Sequence, residues 1–281
     1  MDLGLTGKVA LVAGGSSGIG LAIAAELAAE GAHVAIGARD PARLAAAERT
    51  LKESARGRVH ATRVDITDAE ATRRWIEDVA SEFGGLHIVV VSGGTPPTGS
   101  ATTFEASAYR EAVETVLMPA VELVLAALPH LRAAQPHGPD SRWGRILLVA
   151  SETAVVPIGG LALSGVTRAA LVRFAQALAA DLGRDGVTVN VLAPSATHTP
   201  LLERVLTQGS AADHLAAELA AVGGKTAVGR VARPDEIAAL AAFLASERAG
   251  YITGTVQLID GGSSVLGASS SHYIDSQEGT C

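Results

Sequence analysis

The sequence predicts an α/β fold, a doubly wound parallel sheet of seven strands in a single domain. Three observations predict it. Short Val/Ile/Leu-rich runs alternate with longer Ala-rich amphipathic segments along the chain. Most of those runs are apolar on both faces, as strands are when helices cover the sheet on both sides. A glycine-rich turn follows the first run and leads straight into an apolar-periodic helix. Strand and helix alternation then calls for right-handed crossovers. The 281 residues are 48% hydrophobic, ample for one buried core.

Taken in order, the strands are Val9 to Val12, His33 to Ile36, Val59 to Val64, Ile88 to Val91, Arg145 to Val149, Thr188 to Leu192 and Val256 to Ile259. A helix opens near Gly18, and two long ones are expected near Tyr109 to Leu131 and Leu161 to Leu182. Gln135 to Trp143, rich in Pro, Gly and charge, reads as a surface loop. The segment from Ser195 to Arg230, with Ser210 to Val222 helical, reads as a cover that sets specificity. The domain spans 1–262 with this cover at about 195–230, and 263–281 forms an irregular tail containing Ser269-Ser270-Ser271.

Composition excludes several roles. A formal charge of -7 argues against a nucleic-acid surface, because phosphate backbones reward clustered Lys and Arg. With 3% aromatic residues, stacking platforms for single strands are not expected either. The single cysteine, Cys281, permits no intrachain disulfide and no cysteine-based metal cage. No apolar run is expected to span a membrane, and Met1-Asp2-Leu3-Gly4, without a basic region followed by an apolar stretch, is not expected to open a signal sequence. A cytoplasmic protein acting on a small molecule is the expectation.

The glycine turn reads Ala13-Gly14-Gly15-Ser16-Ser17-Gly18-Ile19-Gly20. Glycine lets the backbone turn tightly and approach a pyrophosphate, whose charge is met by free amides at the positive end of the helix dipole. Ser16, Ser17 and Ile19 lie between the three spaced glycines, Gly14, Gly18 and Gly20. A glycine-rich turn with no ligand would look similar out of context; placement between strand and helix favours a dinucleotide.

From about Leu5 to Gly262 the chain resembles the short-chain dehydrogenase/reductase family, with its Rossmann-type sheet. The glycine spacing, Asp65, Gly94, Ser151, Pro194, Thr199 and Asp260-Gly261-Gly262 fall in that family's order. The resemblance implies that Asp65 accepts from the adenine amino group and that Gly94, Pro194 and Thr199 line the cofactor. At the end of the second strand, Ala38 stands where the family usually carries the acid that reads the NAD ribose, and Arg39 follows. A guanidinium there suits a 2′-phosphate, so NADP(H) is expected over NAD(H). Asp40 is able to pair with Arg39 and blunt that preference.

The family's catalytic group is an Asn, a Ser, and a Tyr and Lys one helical turn apart. This chain keeps Ser151. Val116 falls at the Asn position, Ser164 at the Tyr and Arg168 at the Lys, and Val91-Ser92-Gly93-Gly94 replaces Asn-Asn-Ala-Gly. Serine is a far weaker acid than tyrosine, and Arg stays protonated. Losing a positioned acid typically costs ~10²- to 10⁴-fold in rate. Substitute donors by sequence position are Glu152, Thr153, Thr95 and His198, with Tyr109 and Tyr273 beyond them. Arg168 is left with binding, to the cofactor ribose or to an anionic substrate.

Three readings follow. One is an atypical NADPH-dependent reductase of a carbonyl or imine, with Ser151, Ser164 and Arg168 as its catalytic set. Another is a non-redox isomerase, lyase or cyclase on the same scaffold. The last is a non-catalytic cofactor-binding subunit. The resemblance also implies a homodimer or homotetramer assembled through the two long helices, with Gly250-Tyr251-Ile252-Thr253-Gly254 near a second contact.

Overall fold

The computed structural model describes residues 2–134, 143–207 and 214–266. Seven strands, β1 (Val9–Ala13), β2 (His33–Ala38), β3 (Val59–Arg63), β4 (Ile88–Val91), β5 (Gly144–Val149), β6 (Val187–Pro194) and β7 (Val256–Ile259), form one sheet. Every pairing is parallel, in the order β3-β2-β1-β4-β5-β6-β7. All seven expected runs are strands. The order reverses direction between β1 and β4, which opens a crevice beyond their carboxyl ends, the place where such sheets take ligands.

The helices are α1 (Gly18–Ala29), α2 (Pro41–Ser54), α3 (Ala69–Phe83), α4 (Ala106–Ala112), α5 (Met118–Ala133), α6 (Ala162–Leu182), α7 (Pro200–Leu206), α8 (Leu215–Gly223) and α9 (Pro234–Ala245). Local chemistry starts several of them. Asp40 caps α2 by accepting from the amides of Ala42 and Arg43, with Pro41 at the first helical position. Asp68 caps α3 through Glu70 and Ala71. Alternation on the strands divides the core in two. Leu11, Val89, Ile146 and Val191 pack against side chains of α3, α5 and α6, while Val12, Val90, Leu147 and Leu192 pack against α1, α2 and α9.

Two expectations change. α4 and α5 run on through a π-helical turn, Val113–Leu117, as one helix from Ala106 to Ala133. By length and composition alone that helix passes for a membrane span, a test that the core helix of a folded domain also passes; Glu122 and His130 interrupt its apolar residues, so no continuous apolar run of that length occurs. In the fold it lies on the sheet, burying Leu123, Val124, Ala127 and Leu131. The helix expected over Ser210 to Val222 occupies Leu215–Gly223; its first residues, the loop before Trp143, and the tail with Tyr273 and Cys281 lie outside the described residues.

Candidate active site

A cleft of about 670 Å³ lies beyond the carboxyl ends of β1, β2, β4 and β5. Gly14, Ser16, Ser17, Gly18 and Ile19 form one wall. Gly14 takes φ +76°, and a Cβ there would collide with the Ser92 carbonyl oxygen, so the turn out of β1 admits only glycine. Ser17 starts α1 without capping it by its side chain. The first-turn amides, which have no intrahelical acceptor, therefore remain available to an anion in the cleft. The residues present fit a dinucleotide.

At one end of the cleft stand Ala38, Arg39, Asp40, Arg43, Asp65 and Thr67. The pairing anticipated between Asp40 and Arg39 does not form. One Asp40 oxygen caps α2 and the other accepts from Arg43 Nε at 2.8 Å. These bonds hold the Asp40 carboxyl below its ordinary range, with the Arg43 backbone the largest contribution. The Arg39 guanidinium has no acceptor among the described residues; its carbonyl accepts from Arg63 Nε. Asp65 accepts from the amide and hydroxyl of Thr67, an Asx turn that fixes its carboxylate at the cleft.

In the middle of the cleft, Arg168 reaches from α6 and is 9% exposed. Its Nη1 donates to the Val149 carbonyl at 3.0 Å, and Nη2 donates to Gly93 at 3.0 Å and Gly94 at 2.5 Å. The guanidinium thus ties the carboxyl end of β5 to the loop after β4. Burial lowers its pKa to about 10, which leaves it charged at neutral pH. Gly94, at φ +74°, packs on the π turn, where a Cβ would sit 3.1 Å from Val116 Cα. Val116 is 4% exposed and brings no polar atom to this point. Ser151 starts a 3-10 turn, Glu152–Ala154, by accepting from the Thr153 amide at 3.3 Å. The buried Thr153 hydroxyl is 3.0 Å from that of Ser164, so three hydroxyl-bearing residues gather beside α6.

Comparison with known proteins decides the family. Residues 13–264 match the family model described as enoyl-(acyl carrier protein) reductase. A tropinone reductase homolog of Arabidopsis thaliana is 34% identical over 267 residues, covering 94% of this chain and 93% of its own. The crystal structure of L-sorbose reductase from Gluconobacter frateurii, complexed with NADPH and L-sorbose, superposes with a TM-score of 0.84 at 36% identity, over 93% of this chain and 98% of that one. A short-chain dehydrogenase from Burkholderia cenocepacia J2315 in complex with NADP does so at 0.78 and 33%, over 92% and 99%. The chain is a short-chain dehydrogenase/reductase.

In this short-chain dehydrogenase/reductase the fold brings Gly14, Ser16, Ser17, Gly18, Ile19, Arg39, Asp65, Gly94, Arg168 and Thr199 to one cleft. Gly20 lies behind that wall, where a Cβ would collide with the Gly14 carbonyl, and Pro194 closes β6 without lining the cleft. Ser151 and Ser164 are joined through Thr153 rather than forming the wall. Thr199 caps α7 by accepting from Leu202 and lies against Gly18.

The other proposed donors separate. Thr95 lines the cleft. The Tyr109 hydroxyl donates to the Ala101 carbonyl at 3.2 Å. His198 Nε2 lies 2.9 Å from Glu203 Oε1, both half-exposed. Glu152 accepts at 3.2 Å from the Ser263 hydroxyl, which also lies 3.3 Å from Asp260. Burial raises the Glu152 pKa to about 7, opposed by the Ser263 bond and assisted by Asp260. The Ser263 contact crosses 111 positions of sequence and has no sequence signal. Cleft positions that pattern reading passed over include Arg43, Glu111, Thr115 and Leu163. A scan at helical spacing would have flagged Glu111 and Thr115, four apart, as one face.

Proposed function

We propose that this short-chain dehydrogenase/reductase is an atypical member that reduces a carbonyl or imine in a small organic substrate with NADP(H), with Ser164 and Arg168 where the family's tyrosine and lysine stand. The observation that carries the cofactor reading is the Arg39 guanidinium, without a protein acceptor among the described residues at the cleft edge while Asp40 is occupied by Arg43 and the α2 cap. The nicotinamide supplies hydride when bound. Gly14, Gly18 and the α1 amides would hold its pyrophosphate, Asp65 the adenosine and Arg39 the 2′-phosphate. NADPH and NADP in the related structures support a nicotinamide cofactor.

The chain's own residues divide the remaining work. Ser151 and Ser164 offer hydroxyls to a substrate oxygen. Arg168 holds a fixed positive potential and, being bonded to three carbonyls, does not relay protons. Glu152, directly after Ser151, keeps a proton near neutrality and is the group we favour as its store. We further propose a homodimer or homotetramer through α5 and α6, whose exposed Leu125 and Val166 accord with a covered face.

Calorimetric titration with NADPH and NADH tests the cofactor assignment. NADPH is expected to bind at least about tenfold tighter, roughly 1.4 kcal/mol, and Arg39→Ala should erase the gap while leaving NADH affinity unchanged. Equal affinities in the natural protein refute it. Substrate turnover with the cofactor unoxidised would instead favour the non-redox reading, which the tethering of Arg168 and Ser164 to their neighbours also accommodates.

A further inference from the structure

Two histidines close the hydrogen-bond ladder at the amino end of the sheet, opposite the cleft. His87, one residue before β4, donates its own amide to the Val9 carbonyl, and its ring Nδ1 lies 3.1 Å from the Val9 amide. His33, the first residue of β2, sets its Nδ1 2.9 Å from the amide of Arg58, one residue before β3. The neighbouring rungs are ordinary backbone pairs, from the His33 amide to the Lys8 carbonyl and from the Val34 amide to the Arg58 carbonyl, both at 2.8 Å. A backbone amide can only donate, so both rings accept there, and each neutral imidazole carries its proton on Nε2. A protonated ring has no lone pair left at Nδ1. Charging either histidine therefore strands an amide that the ladder otherwise satisfies.

The surroundings resist that charge. Lys8, just ahead of β1, and His33 both act on His87 as cations, and Arg145 of β5 acts in turn on Lys8. The Trp143 ring lies 6.1 Å from that of His87, with Lys8 and Arg145 over it at 4.4 and 4.5 Å. Arg58 faces His33 from the start of β3, and Phe83 of α3 stacks on the ring at 5.8 Å. The carboxylates of this end are engaged elsewhere, Glu247 with Lys8 at 3.9 Å and Glu82 with His60 at 3.4 Å. Burial first, then Lys8 and His33, brings His87 down from 6.5 to about 4, while burial and Arg58 lower His33.

We infer that His33 and His87 form an acid-sensitive latch at the amino end of the sheet, closed while both imidazoles are neutral and released when Nδ1 takes a proton. The opened end exposes imidazoles that bind protons the closed end excludes. Closure is fully supported above about pH 6.5 and weakens as pH falls from there towards about 4. The latched strand, β1, is the one that runs into the glycine turn at Gly14. The latch needs no ligand and stands apart from the reductase reading.

The test is amide hydrogen exchange of the full chain, followed by NMR at about pH 7.5 and about pH 5 and corrected for intrinsic exchange, in the natural protein and in His87→Asn. The asparagine Oδ1 can accept from Val9 and does not titrate. On acidification, protection of the Val9 amide is expected to fall roughly tenfold more in the natural protein than in the variant. Equal falls in the two proteins overturn the inference. His33→Asn should spare the Arg58 amide in the same way, and an Arg58 amide whose protection in the natural protein ignores pH overturns the part given to His33. Imidazole nitrogen chemical shifts of the natural protein decide the matter without any variant having to fold. An unprotonated Nδ1 on both rings at about pH 7.5, with His87 titrating well below 6.5, is expected; a proton on Nδ1 of His87, or titration at or above 6.5, overturns the latch.

Discussion

Replacing Glu152 by glutamine should change how stability depends on pH, with a sign that follows from the structure. The carboxyl is partly buried, accepts from Ser263 and sits near Asp260, and its pKa rises from 4.5 to about 7, chiefly through burial. Between those values the folded chain binds a proton that the unfolded chain releases. Stability contributed by this group is therefore present below about pH 4.5 and lost as pH rises through about 7. The full displacement corresponds to an upper bound of roughly 3 kcal/mol, and residual solvent contact reduces it to about 1–3 kcal/mol. A glutamine amide does not ionise, so Glu152→Gln should gain that amount relative to the natural protein between about pH 5 and about pH 8. Urea unfolding of both proteins at the two pH values gives the double difference, in which the other carboxylates cancel. A double difference within about 0.5 kcal/mol of zero, or of opposite sign, would refute the placement of a buried, protonated carboxyl beside Ser151.

Two further outcomes are expected. Gly14→Ala forces a side chain into φ +76° and against the Ser92 carbonyl, and should cost more than about 2 kcal/mol together with dinucleotide binding; a variant of natural melting temperature and NADPH affinity would contradict the tight turn. Thr153→Val removes the hydroxyl 3.0 Å from Ser164 and should lower stability by about 1–2 kcal/mol, with Thr153→Ser restoring most of it; thermal unfolding reads both.

The sequence alone determined the sheet, its seven strands and the place of the glycine turn, because two-sided burial leaves continuous apolar runs and a left-handed turn demands glycine. The Asp68 cap of α3 is equally local, since that chemistry spans three residues. Choosing partners across the fold was left to tertiary structure. Asp40 could have paired with Arg39 or with Arg43, and only the start of α2 brings Arg43 Nε to its second oxygen. Arg168 looked like a free binding cation, yet the ends of β4 and β5 converge so that their carbonyls take three of its donors. Ser164 was tethered by Thr153, and Glu152 by a serine on the far side of the sheet's last strand. Local pattern records what each residue's own backbone requires; burial, counter-charge and protonation depend on which distant groups the closed fold places around it.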